Sequence, residues 1–513
     1  MLRLPFIVAR RTARSSPSAL SLRERNPADA MNRATQTSPI QRDALPRGKH
    51  AVALILVLAT GLSLRWWAAA ANEFPTVDGT QYLDQAWQLC FRGQLIYSCF
   101  PPGWPLLAAI PLRFFAADDP HAMLSAAHIA NVALGTLSIG LTWLLLRRHL
   151  GFGLALAGAA LVALLPQNIV LAKSDLSDIA YMCGLLGGWL LLERRRDLPA
   201  GLVLGYTYLV RPESALASLG LIAWRWRADR RPPWRLMIGH AALVAPYLVF
   251  LRVAGGAWDI SSKTIALSQS LDAHPGAAYP ALIAANLGLL LPLLTGQLGL
   301  PLTLLAAYGT VRHRGAWAWL LLPLASVPLV INPMVVRFWL PYLPVLLLGA
   351  GLGALSLARS LVARWPARRQ MTAALLGLSI AAGLTFAAID DAPLVRRNTE
   401  AYYGLKDAGL WLRGKATPTT LVADYKPYAP YWAGCRFLKY PELGSALDYA
   451  LWARNQGVEY LVVNVQTVRQ YLPGLDGLLV SPLAPELADK LELVHTCFYE
   501  RVGDNTVVYR VKR

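Results

Sequence analysis

The sequence predicts a polytopic α-helical membrane protein that carries a small C-terminal extracytoplasmic α/β domain, and three observations predict it. Apolar residues gather into long runs over 51–62, 124–146, 151–172, 180–192, 236–251, 281–311, 316–330, 338–358 and 371–388. A bilayer core about 30 Å thick takes ~20 such residues per helical crossing. Basic residues cluster where these runs end, at Arg147-Arg148-His149, Arg194-Arg195-Arg196, Arg225 to Arg235, Arg312 to Arg314 and Arg364 to Arg369, which the positive-inside rule reads as topology. From Asp390 onward the composition becomes that of a soluble domain. A hydrophobic share of 55% does not decide the class, because globular proteins are also about half apolar. Segregation into runs does, together with a charged share of only 15% and a mean hydropathy of +0.39.

Residues 1–49 are rich in Arg, Ser, Pro and Asn, lack apolar periodicity and read as a disordered basic cytoplasmic tail, with Met31 as a second candidate start. His50 to Ala71 has no A-x-A-like cleavage context and is expected to be a retained first helix. It leads outward into a large loop, 71–121, in which Asp78 to Arg92 and Pro105 to Ala117 have the spacing of helices lying in the interface. A second helix over 122–146 returns inside. A third over 151–172 leads out to Lys173-Ser174-Asp175-Leu176-Ser177-Asp178, and a fourth descends to Glu193.

Residues 198–224 lie between two inside clusters and so need an even number of crossings, read as two short helices meeting at Arg211-Pro212-Glu213. A helix over 236–253 precedes a second outer loop, 254–280, with Trp258, Asp259, Lys263, Asp272 and His274. The stretch 281–310 is long for one crossing and suits an interfacial helix joined to a descending one. Helices over 316–332 and 338–360 flank the outer segment Asn332 to Arg337, and one over 371–388 exits. The membrane domain, 50–389, thus makes about eleven crossings, with the amino terminus inside and the carboxyl terminus outside. In 390–513, Thr419 to Ala423, Glu459 to Val465 and Thr506 to Val511 read as strands and Ser445 to Gln456 as a helix. Tyr425, Tyr428, Tyr431 and Trp432 suit stacking on a sugar or polymer, and equally suit packing or an interfacial belt.

A formal charge of +19 would fit nucleic acid, but the basic residues sit at span ends, so no nucleic-acid partner is expected. Five cysteines are too few for a disulfide scaffold; Cys90 with Cys99 and Cys435 with Cys497 are the pairings an oxidising compartment would permit. Gly349-Ala350-Gly351-Leu352-Gly353 lies in an apolar run without strand-turn-helix context and reads as close helix packing.

The candidate chemistry converges from separate outer loops. Asp78, between the first helix and an interfacial helix, is placed to take a hydroxyl or amine proton from an attacking nucleophile, or to orient it. Tyr82 is a supporting neighbour, and Asp84 ranks below Asp78. Asp175 and Asp178 are three residues apart on one face at a helix start, which suits a shared role with Asp78 and equally suits simple capping. These carboxylates are compatible with a divalent cation but form no tight ligand pattern, so the metal is unassigned. Should the leaving group be a phosphate, Arg337 and Arg211 offer guanidinium forks, with Lys173 and Lys263 as weaker candidates. Arginines near helix ends also snorkel to headgroups. Glu213 can pair with Arg211 and support that turn.

The Asp78 loop, Pro101-Pro102-Gly103-Trp104-Pro105-Leu106, Ser174-Asp175, Tyr208-Leu209-Val210-Arg211-Pro212-Glu213 and Arg337-Phe338-Trp339-Leu340-Pro341 occur in the order seen in bacterial polyprenyl-phosphate-sugar transferases. Over about residues 50–360 the chain resembles the C-type membrane glycosyltransferases (GT-C fold), particularly protein O-mannosyltransferases and lipid A aminoarabinose transferases. The resemblance implies an inverting transfer from an undecaprenyl-phosphate-linked sugar to a glycan, lipid or protein acceptor, at the periplasmic face of a bacterial inner membrane. It implies Asp78 as the acceptor-activating carboxylate, Asp175 or Asp178 as a second acid, and Arg337 as a lipid-phosphate contact. Relatives often carry Lys or His before the double proline where this chain has Phe100, which shifts phosphate binding toward Arg337, Arg211 or a lysine elsewhere in the chain. The alternative is a lipid-linked sugar transporter or noncatalytic membrane assembly subunit, because intramembrane arginine and broken helices serve transport too.

Overall fold

The computed structural model describes residues 47–513 except 117–118, 257, 264–277, 314, 327–335, 365–376, 378–380, 382–384, 386–388, 390, 399–401, 481 and 500–503. The expected tail before 47, Asp272 and His274 of the second outer loop, Asn332 to Val335 and most of the exiting helix over 371–388 lie outside the described residues.

The chain begins with α1 (Arg47–Ala70) and continues through α2 (Val77–Trp87), which runs into a π-helical turn at Gln88–Arg92, and α3 (Gly103–Leu112). Next come α4 (Pro120–His149), α5 (Phe152–Leu164), α6 (Pro166–Lys173), α7 (Asp178–Glu193), α8 (Asp197–Val210) and α9 (Ser214–Asp229). The membrane domain closes with α10 (Trp234–Gly255), α11 (Ala278–His313) and α12 (Leu343–Arg364). Among the described residues five helices, α1, α4, α10, α11 and α12, are long and apolar enough to cross a membrane, and the bent pair α5–α6 makes a sixth if it is one span.

Two expectations are corrected. The third helix is not continuous: α5 and α6 meet at a bend of 54°. Pro166 has no N–H to return to the Val162 carbonyl four residues earlier. Arg65 of α1, fully buried, replaces that donor, giving Nη2–H to Val162 at 2.8 Å and Nη1–H to Ala163 at 3.0 Å and Gly61 at 3.1 Å. This cation inside an apolar helix therefore completes a neighbour's backbone, as a non-aqueous interior requires. The stretch expected as a helix over 316–332 is instead a 3-10 helix at Ala316–Ser326, with Pro323 inside it.

The break expected within 281–310 and the packing role of the glycine run are both observed. Gly299, at φ 73°, ψ 152°, divides α11 in two. The glycine run of α12 serves close packing, since a Cβ at Gly353 would lie 2.3 Å from the Leu305 carbonyl oxygen of α11.

The C-terminal domain runs α13 (Tyr403–Arg413), β1 (Leu421–Asp424), α14 (Tyr428–Ala433), β2 (Arg436–Lys439), α15 (Ala446–Asn455), β3 (Tyr460–Asn464), α16 (Val465–Gln470), β4 (Leu491–Tyr499) and β5 (Asp504–Val511). The sheet order is β2-β1-β3-β5-β4. β1 is parallel to β2 and β3, and β5 is antiparallel to β3 and β4. Apolar side chains fill both faces, with Leu405, Tyr428 and Val508 on one and Tyr449, Leu461 and Tyr509 on the other.

This order separates Cys435 from Cys497, because one immediately precedes the edge strand β2 and the other lies on the opposite edge, β4. Four strand spacings make roughly 19 Å, far beyond disulfide reach. All five cysteines are free thiols, Cys90 and Cys99 included. Tyr428 and Trp432 are fully buried, so packing accounts for both.

Candidate active site

The site is built from the first turn of α2. Thr76 caps this helix: its backbone is extended, and its Oγ1 accepts from Gly79 N–H at 2.9 Å. The same hydroxyl donates to Asp175 Oδ1 at 2.9 Å, and Thr76 N–H donates to both Asp175 oxygens at 3.1 and 3.0 Å. Asp175 thus lies against the helix amino terminus, where the macrodipole favours negative charge. Burial pushes its carboxyl up to about 7 despite the Thr76 bonds. Gly79 permits this approach, for a Cβ there would fall 1.6 Å from Asp175 Oδ2. Asp175 is therefore an anchor for the turn that presents Asp78.

Asp78 points the other way and meets Arg337, whose Nη2 lies 2.8 Å from Asp78 Oδ2. Their side chains are 35% and 32% exposed. A second, buried network lies beside this pair. Arg211 is ion-paired to Asp178, with both side chains under one-tenth exposed, and lies 3.6 Å from Glu213. Lys263 Nζ donates to Glu213 at 3.0 Å. Burial pushes the Glu213 carboxyl upward, but Lys263 and Arg211 outweigh it and bring it down to about 2.

Phe338 joins the two networks, with its ring 5.0 Å from the Arg337 guanidinium carbon and 5.4 Å from that of Arg211. Such contacts are worth about 0.5–2 kcal/mol each. Tyr82, fully buried, bonds Ser177 Oγ at 3.2 Å and packs on Phe100 and Trp104. Phe100 is therefore part of the wall behind α2.

The structure brings together Asp78, Asp175, Asp178, Arg211, Glu213, Lys263, Arg337 and Tyr82. Lys173 stands apart from them: its buried ammonium donates to the carbonyls of Leu394 at 2.7 Å and Val395 at 3.0 Å and to that of Arg397. It fastens the start of the C-terminal domain to the membrane domain. That domain in turn holds the segment leading into α2. Asn398 accepts from Glu73 N–H at 2.9 Å, Lys406 pairs with Glu73 at 3.0 Å, and Tyr403 packs edge-on against Phe74.

Sequence reasoning passed over Thr76, Gly79 and this clamp. A threonine just before an acidic first turn is a capping signal, and a glycine inside that turn signals close approach; the clamp has no local signature.

The carboxylates do not fit a divalent-cation cage. Asp78 faces Arg337, Asp178 faces Arg211, and both oxygens of Asp175 are occupied by Thr76. No group of three or more His, Cys, Asp or Glu side chains disposed to hold a metal occurs among the described residues. Hard cations need six or more oxygen ligands.

No protein-family model matches the chain, and no curated protein sequence matches it. Solved structures do. The Archaeoglobus fulgidus oligosaccharyltransferase in complex with zinc and sulfate superposes with a TM-score of 0.59 at 15% identity, covering 89% of this chain and 72% of that one. AglB from Archaeoglobus fulgidus, in complex with an inhibitory peptide and a dolichol-phosphate, gives 0.57 at 16%, covering 89% and 74%. ArnT from Cupriavidus metallidurans, bound to undecaprenyl phosphate, gives 0.58 at 13%, covering 88% and 97%. The chain has the GT-C fold that these proteins share.

Proposed function

We propose that this protein is an inverting transferase that moves a sugar from a polyprenyl-phosphate carrier to a hydroxyl or amine acceptor at the periplasmic face of a bacterial inner membrane, through a topology of about eleven crossings. The observation that carries the reading is the one-third-exposed Asp78–Arg337 pair beside the buried Arg211–Asp178 pair. An exposed ion pair is worth only ~0–1 kcal/mol, so an arriving phosphate can take Arg337 from Asp78 at little cost. Breaking the buried pair would leave an uncompensated charge at ~3–5 kcal/mol. Arg337 is thus the phosphate contact, with Arg211 and Lys263 as its electrostatic support, and Asp78 is released toward the acceptor. The dolichol-phosphate and undecaprenyl phosphate bound by the structural neighbours are consistent with such a donor.

The acceptor oxygen or nitrogen forms a bond to the anomeric carbon as the bond from that carbon to the phosphate oxygen breaks on the opposite face. The phosphate leaves with an added negative charge, which Arg337 neutralises, and Asp78 takes the acceptor proton. Thr76, Gly79 and Asp175 hold Asp78 in position. The test is Asp78→Asn in purified protein reconstituted with labelled polyprenyl-phosphate sugars and a panel of acceptors. The variant should assemble normally and lose nearly all transfer. Wild-type turnover would remove Asp78 from its role, and lipid movement between leaflets without any new glycoconjugate would replace the enzyme reading with transport.

A further inference from the structure

Helix α2 also lines a cleft of about 1140 Å³ between the membrane domain and the C-terminal domain. Its helical wall is Thr80, Gln81, Asp84, Trp87 and Gln88. Gln81 lies three residues after Asp78, which places the two about 60° apart around the helix. Gln81 thus brings the cleft to within one helical turn of Asp78, which, like Arg337, lies outside the lining itself.

The charge of the lining is uneven. Arg92, Arg413 and Arg436 face a single carboxylate, Asp84. Arg92 lies over the Trp87 ring at 4.9 Å, and Arg413 is 3.8 Å from Asp119 in a pair more than one-third exposed on both sides. Arg436 opens β2, the edge strand of the sheet. Tyr97 and Phe437, also on the lining, remain 37% and 39% exposed. Guanidinium forks read carboxylate and phosphate oxygens, and exposed aromatic rings offer flat apolar faces to a sugar. A peptide strand added to β2 would meet Arg436 and Lys439 on an edge only four residues long, features that discourage strand addition.

We infer that this cleft binds the acceptor and that the acceptor is an acidic saccharide, its carboxylate or phosphate groups read by Arg92, Arg413 and Arg436. The inference rests on the transferase reading for the word acceptor, but its test does not. Binding is measured without any donor, on full-length protein in nanodiscs. The probes are an oligogalacturonate, a phosphorylated oligomannoside, a neutral malto-oligosaccharide of equal length and a poly-glutamate peptide.

At least one acidic saccharide should bind, and whichever binds more tightly identifies the acidic group. Its affinity should fall more than about tenfold in R92S/R436S, recover only in part in R92K/R436K, where the charge returns without the fork, and weaken as salt is raised from about 50 to 500 mM. Asp78→Asn should bind it fully, which separates failure of the cleft from failure of the catalytic assignment. Equal binding of the neutral saccharide, unchanged binding by R92S/R436S, or tighter binding of poly-glutamate would overturn the inference.

Discussion

Replacing Gly79 with alanine tests whether Asp175 positions Asp78. The new methyl would sit 1.6 Å from Asp175 Oδ2. A carbon–oxygen contact needs about 3.3 Å, so one partner must move by about 1.7 Å. Asp175 is fully buried and bound to Thr76 N–H and O–H, so movement breaks charge-assisted hydrogen bonds of ~1.5–3 kcal/mol each or drags the helix start with it. A displacement of this size at a reacting group costs roughly 10²-fold in rate. Gly79→Ala should therefore lose about 10²-fold in kcat with little change in donor KM, measured as initial transfer rates in proteoliposomes. The control is the double-mutant cycle with Asp175→Ala, which removes the atom the methyl strikes. The double variant should be no worse than Asp175→Ala alone. Near-wild-type activity in Gly79→Ala, or additive losses in the double variant, would refute the reasoning.

Lys173→Met strips the carbonyls of Leu394, Val395 and Arg397 of a buried donor. A loss of about 3 kcal/mol should appear as a lower Tm and faster proteolysis near residue 397, with kcat reduced more than donor KM. The pH dependence of Asp175 has a definite sign. With its carboxyl pushed up from 3.8 to about 7, it takes up a proton as pH falls through neutrality, and Thr76 loses its charged acceptor. Activity should decline on that acid limb in the wild type and not in Asp175→Asn. Because the folded carboxyl holds its proton more tightly than the unfolded one, the wild type should gain thermal stability relative to Asp175→Asn as pH is lowered from above 7 toward 4. The opposite trend in either measurement would remove Asp175 as the titrating anchor.

Much of the architecture was legible locally. The start of α2, the meeting of α8 and α9 at Arg211 to Glu213, the break within α11 and the central strands of the C-terminal domain all follow from apolar runs, prolines and alternation. The bend between α5 and α6 was missed although Pro166 announces it, because the apolar run continues across the proline. The role of Arg65 has no local signature, because its carbonyl partners on Val162 and Ala163 lie nearly a hundred residues away.

By itself the sequence determined the membrane class and the side chains that gather at the site, because hydrophobic segregation and charge asymmetry are written along the chain. Only the tertiary structure decided the roles. Asp78 meets Arg337 across 259 residues of sequence, Arg211 takes Asp178, Asp175 turns inward to anchor Thr76, and Lys173 leaves the site to hold the C-terminal domain. The physical reason is that an ion pair depends on distance and burial, and both arise only when segments far apart in the chain pack against one another.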